Sequence, residues 1–164
     1  MAEFIQKHKL FSFYSGLMII IVLIAIFAPW LAPGDAFTSN ISQALQAPSS
    51  QHWFGTDDLG RDIFSRIIYG CRVSLSVGII SQIIATVIGY TMGVCAGYFG
   101  GKVDSVISFL IQVFSSFPFL LFAMAIMFVL GPGLINLYLA LGLLGWASTA
   151  RLIRGDVMRL KKME

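Results

Sequence analysis

Apolar positions fall into long blocks separated by short polar stretches. Residues 10–34, 73–101 and 105–150 contain no Asp, Glu, Lys or Arg. A helix crossing the hydrocarbon core needs about 20 apolar residues for about 30 Å. The first two blocks are each long enough for one such helix. The third is long enough for two, with Gly131-Pro132-Gly133 as the break between them. The pattern predicts spans over about 10–31, 75–98, 105–130 and 134–153. A cleavable leader is the alternative for the first block, because Lys7, His8 and Lys9 precede it. Its apolar run exceeds the roughly 7–15 residues of a leader's core, so a retained helix is expected.

Composition agrees with this pattern. Of 164 residues, 57% are hydrophobic and 12% charged, against about a quarter charged in soluble domains. The bilayer is the solvent that suits such a chain. The two cysteines, Cys71 and Cys95, fall at distant points of one expected helix, too far apart for a disulfide.

Charge sets the expected orientation. With four spans, Lys7, Lys9, Lys102, Arg151, Arg154, Arg159, Lys161 and Lys162 share one side. Arg61, Arg66 and Arg72 lie on the other with Asp35, Asp57, Asp58 and Asp62. The excess of Lys and Arg marks the cytoplasmic side, so both termini are expected there and the 32–72 connection outside.

Within that connection, Gly55-Thr56-Asp57-Asp58-Leu59-Gly60-Arg61-Asp62 leads to Arg66. Thr56 or Asp57 can cap a helix, and carboxylates suit its positive end. Asp57–Arg61 and Asp62–Arg66 have the i,i+4 spacing of helical ion pairs. Ile63, Phe64, Ile67, Ile68 and Cys71 occupy the opposite face, which predicts an amphipathic helix on the outer surface. A metal site on Asp57, Asp58 and Asp62 is the alternative; the neighbouring arginines favour capping and pairing, so no metal is expected.

Ala85, Gly89, Gly93, Gly97 and Gly101 recur every four residues, a small-residue ridge that lets two helices meet backbone to backbone. Pro118 lies inside the expected third span among Phe114, Phe117, Phe119 and Phe122. It predicts a kink of use in a pathway that opens and closes; a tolerated membrane proline is the plainer reading. No ionisable residue lies inside a predicted span away from its ends, which disfavours carriers driven by an ion gradient. There is no glycine-rich phosphate loop ending in Lys-Ser or Lys-Thr, and no catalytic pairing is available to His8 or His52.

These landmarks resemble the dipeptide, oligopeptide and nickel branch of ABC importer permeases. The resemblance rests on residues 52–66, from His52-Trp53-Phe54 through Arg66, then Tyr69-Gly70-Cys71-Arg72-Val73-Ser74-Leu75. It continues through Ala96-Gly97-Tyr98-Phe99-Gly100-Gly101-Lys102-Val103-Asp104, Phe117-Pro118, Gly131-Pro132-Gly133, Trp146 and Ala150-Arg151-Leu152-Ile153-Arg154-Gly155.

The resemblance implies an all-α integral membrane protein with part of the permease fold: four transmembrane helices and an outer-face amphipathic helix. It divides the chain into a tail and first span (1–34), an outer segment (35–72) and a partial core (73–164). The implied partners are a second permease subunit, cytoplasmic ATPase subunits, an external solute-binding protein and membrane lipids. It implies neither a cofactor nor nucleic acid. The implied location is the bacterial inner membrane, with ATP hydrolysis left to a separate subunit.

The family continues after its fourth span into a coupling helix and two further spans. This sequence stops at Lys161-Lys162-Met163-Glu164, so a truncated permease is expected. Arg151, Arg154, Arg159, Lys161 and Lys162 remain to touch the ATPase or lipid phosphates. A small accessory membrane protein of the same ancestry is the alternative.

Overall fold

The computed structural model describes residues 9–163; the expected roles of Lys7 and His8 fall outside these. The described residues form helices α1 (Lys9–Leu31), α2 (Ile63–Phe99), α3 (Gly101–Ser116), α4 (Phe119–Leu130) and α5 (Leu134–Lys161), with a 3-10 turn at Ile41–Gln43. The chain divides into two compact units, residues 9–76 and 77–163 among those described, and α2 contributes to both.

In the first unit, α1 follows from an unbroken apolar run. Ala25 and Ala28 are buried, whereas Ile19, Ile20, Leu23 and Ile26 lie open, the surface a lipid-facing helix presents. Beyond it, residues 32–62 are ordered by their own hydrogen bonds. Asn40 N–H donates to Leu59 C=O (2.9 Å), Leu45 N–H to Asp57 C=O (3.0 Å) and Thr56 N–H to Gln46 C=O (3.1 Å).

The expected separate surface helix is corrected. Thr56 and Asp57 do not start a helix, because Thr56 pairs with Asp62 in an isolated antiparallel bridge. The helix starts at Ile63 and runs without interruption through the expected second span. Its 37 residues make about 55 Å, well beyond the hydrocarbon thickness. Cys71 and Cys95 are both on this helix and both free.

In the second unit, α2 and α5 run parallel and face each other along small residues. A Cβ at Gly89 would stand 2.7 Å from Trp146 C=O, one at Gly93 2.8 Å from Ala150 C=O, and one at Gly97 3.0 Å from Arg154 C=O. On α5, a Cβ at Gly142 would stand 2.7 Å from Ile84 Cβ. Only glycine admits these approaches, and the gain is van der Waals contact along both backbones. Ala85 is buried in the same seam. Gly101 is not part of it: α2 ends at Phe99, Gly100 and Gly101 turn with φ of 65° and 52°, and nothing approaches Gly101. Helix α3 closes the core with Ile107 and Ile111 against Trp146, Ala147 and Ala150.

Pro118 does more than kink a span. Phe117 is extended (φ −91°, ψ 139°), the conformation that a following proline favours, and Pro118 itself is not helical. The chain therefore breaks, and α3 and α4 are bent by 90°. Phe117 packs on Phe122 (5.2 Å between ring centroids) and Phe114 on Trp146 (5.4 Å).

The expected four spans are not confirmed. Among the described residues α1 and α2 are long and apolar enough to cross a membrane, and α3 with α4 makes a third if the bent pair is one span. Helix α5 adds none on this measure: charges begin at Arg151, and Asn136 lies in its first turn.

Candidate functional site

The densest polar construction in the first unit surrounds Asp57 and Asp62. A turn over 57–61 is closed by the Asp57 carboxylate, whose Oδ1 accepts from Leu59 N–H and Arg61 N–H, each at 2.9 Å. Its Oδ2 takes Arg61 Nε at 2.9 Å and the Arg66 guanidinium. The turn requires Gly60, with φ of 74°: a Cβ there would stand 1.8 Å from Asn40 C=O. Gly55 is held in the same way over Gln46.

Asp62 is the cap of α2. Its Oδ2 accepts Ser65 N–H at 2.7 Å, and its Oδ1 lies 3.0 Å from His52 Nδ1. A carboxylate only accepts, so Nδ1 is the donor in this contact. Ser65 Oγ accepts Gly34 N–H at 3.0 Å, which ties the exit of α1 to the start of α2. Asp62 and Ser65 are both fully buried.

This arrangement corrects one expected pair. Asp57–Arg61 forms, but Asp62–Arg66 does not. The cap turns Asp62 toward Ser65 and His52, while Arg66 reaches back toward the helix start and meets Asp57. Asp58 is exposed at the rim of a cavity of about 430 Å³ that Asp57, Arg61 and Arg66 also line. His52, to which the sequence offers no pairing, and Ser65 both belong to this arrangement. The Asp62-to-Ser65 spacing is that of a capping pair and was readable. Nothing local in the sequence points His52 at Asp62.

These contacts act on acidity. Burial opposes ionisation of Asp57, but the Arg61 N–H and guanidinium outweigh it and hold the carboxyl well below its usual range. Burial likewise opposes ionisation of Asp62, and the Ser65 hydroxyl and N–H with His52 prevail, lowering it. Asp35 falls to about 2, chiefly through the Thr38 side chain and then the N–H groups of Thr38 and Phe37. Depressed carboxyls contribute stability that is present above their unfolded value of about 4 and lost as pH falls toward their folded values. The 35–66 segment is therefore expected to resist pepsin at pH 4 and to be cut at pH 2; equal cutting at both would contradict this coupling.

In the second unit, the basic residues of α5 are largely engaged within the chain. Arg154 grips Asp104, with Nη2 2.7 Å from Oδ2 and a second contact through Nε. Arg151 Nη2 donates to Ser115 Oγ at 2.7 Å, and Lys161 Nζ to Tyr98 C=O at 2.7 Å. Arg159 and Lys162 are exposed.

Apolar helices, backbone-close packing and a hydrogen-bonded connection define a multi-pass α-helical membrane protein. Residues 73–164 match the family model of the binding-protein-dependent transport system inner membrane component. The chain belongs to this family, that of ABC importer permeases, which are membrane subunits distinct from the ATPase. Residues 5–48 match the N-terminal transmembrane domain of oligopeptide transport permease C.

Among its relatives, the dipeptide transport system permease protein of Alkalihalophilus pseudofirmus is 45% identical over 98% of this chain and 53% of its own length. The corresponding Bacillus subtilis protein is 38% identical over 98% of this chain and 50% of its own. A glutathione transport system permease protein of Pectobacterium atrosepticum is 38% identical over 98% and 54%. The chain spans about half the length of the curated relatives it matches.

Proposed function

We propose that this chain forms part of the translocation pathway of an ATP-driven importer for peptides. The observation that carries the reading is the coincidence of residues 73–164, matched by the permease model, with the unit whose helices meet backbone to backbone. The relatives' names speak of dipeptides and glutathione, which favours peptides over the nickel that the sequence left open.

In this reading a second permease subunit completes the pathway and cytoplasmic ATPase subunits drive it. An external solute-binding protein delivers substrate. Both termini face the cytoplasm, where Arg159 and Lys162 are available to the ATPase or to lipid phosphates. The segment around Gly55, Asp57, Asp58, Gly60, Arg61 and Arg66 faces outward and receives the binding protein. The break at Phe117-Pro118 lies along the pathway.

The test is made at the gene's own locus, in the native host with its other peptide permeases removed. Disrupting the gene is expected to abolish uptake of labelled dialanine. Replacing Asp57 and Arg61 together by alanine is expected to reduce uptake about tenfold or more at unchanged membrane abundance, the scale of one lost charged hydrogen bond. Unchanged uptake after disruption overturns the importer reading. Unchanged uptake in the double variant overturns only the role given to the outer segment.

A further inference from the structure

Helix α3 carries a polar stripe, Asp104, Ser108, Gln112 and Ser115, on the side that meets α5. The two arginines of α5 use it differently. Arg154 is matched by Asp104, which Ser108 Oγ also contacts at 3.2 Å, so that end is neutral. Arg151 makes one hydrogen bond among the described residues, to the Ser115 hydroxyl, and no carboxylate is paired with it there. Ser115 lies roughly 16 Å along α3 from Asp104. The Arg151 guanidinium thus points away from the acidic end, along the uncharged part of the stripe.

Between them is a cavity of about 260 Å³, lined by Ser108, Ile111, Gln112, Arg151 and Arg154. Its polar groups are the Arg151 guanidinium with most of its N–H donors unused, the Arg154 guanidinium already paired with Asp104, a primary amide and a hydroxyl; Ile111 supplies an apolar wall. A guanidinium fork matches the two oxygens of a carboxylate or phosphate. Arg151 is exposed, so an arriving anion exchanges water for the unused donors of its guanidinium. The volume suits a charged group with a short tail.

We propose that this cavity binds an oxyanion, either the terminal carboxylate of a transported peptide or the phosphate of a lipid headgroup. Arg151 is the primary contact and Gln112 the second. The peptide source rests on the importer reading above; the lipid source does not.

The full chain, in phosphatidylcholine nanodiscs, is titrated with dialanine and with dialanine amide. In detergent, retention of added phosphatidylglycerol is read by native mass spectrometry. Dialanine binding with the amide about tenfold weaker or worse, lost in Arg151→Gln, identifies a carboxylate. Retention of phosphatidylglycerol by the wild type and not by Arg151→Gln identifies a lipid phosphate. Either result supports the site, and Lys102→Gln serves as the control expected to bind like the wild type. If neither probe distinguishes wild type from a helical, monodisperse Arg151→Gln protein, the proposal is overturned.

Should Arg151→Gln fail to fold, Arg151→Lys keeps the charge and removes the fork. It is expected to bind about tenfold more weakly, and unchanged binding of both probes overturns the proposal. Binding of phosphatidylglycerol in a protein whose disruption leaves uptake intact would support the site while overturning the importer reading. Loss of uptake with no binding here would do the reverse.

Discussion

Isoleucine at Gly93 is expected to separate α2 from α5 and to unfold the second unit well below the wild-type midpoint. The new Cβ would stand 2.8 Å from Ala150 C=O and 2.9 Å from Ile153 Cβ. One of these neighbours is backbone and cannot rotate away, so a helix must move. Overpacking of this kind costs about 3 kcal/mol, and here it also forfeits contact at Gly89 and Gly97 along the same seam. Thermal unfolding of the purified chain in detergent, followed by circular dichroism, is expected to fall by about 10 °C or more. The matched control is Gly78→Ile, on the same helix with nothing within 4 Å. If both variants unfold together at the wild-type temperature, the seam is not what holds the unit.

The second large effect is expected from Asp62→Ala. One carboxylate caps α2 through Ser65 and holds His52, and it is buried while doing so. Removing it costs a cap, about 1 kcal/mol, and leaves buried donors unsatisfied at about 1–3 kcal/mol. The segment between α1 and α2 should open more often, and trypsin should cut after Arg61 or Arg66 about thirtyfold faster. Asp62→Asn, which keeps an acceptor for Ser65, should fall between wild type and alanine. Wild-type cleavage rates in Asp62→Ala would show that the bridge and the Asp57 turn suffice without the cap.

The helices were legible because their apolar runs are long and their breaks carry glycine and proline. The small-residue seam was legible from one side only. Spacing points to Ala85, Gly89, Gly93 and Gly97, and α5 answers with Gly142, Trp146 and Ala150, also four apart, where the bulky Trp146 interrupts the small-residue signature. Spacing also enrolled Gly101, where two positive-φ glycines had already ended the helix.

The charges of the polar segment repeat at four, the spacing of a helix. Two glycines, one before that repeat at 55 and one within it at 60, carry the opposite message: both have positive φ, and together they fold residues 55–62 into a turn. Tertiary partners explain the rest. His52 reaches Asp62 across ten residues and Arg154 reaches Asp104 across fifty, distances at which a local pattern has no purchase. At Pro118 the position was legible and the amplitude was not, since it depends on Phe117 leaving the helical region as well.

That break has a further consequence for solvation. Helix α3 stops at Ser116, so its last carbonyls lose the N–H partners that a continuing helix would supply. Hydrocarbon offers them nothing. Taken as one span, α3 and α4 therefore cannot turn the 116–118 elbow toward acyl chains; it has to face protein or water. The elbow fixes which side of this helix pair the lipid never sees.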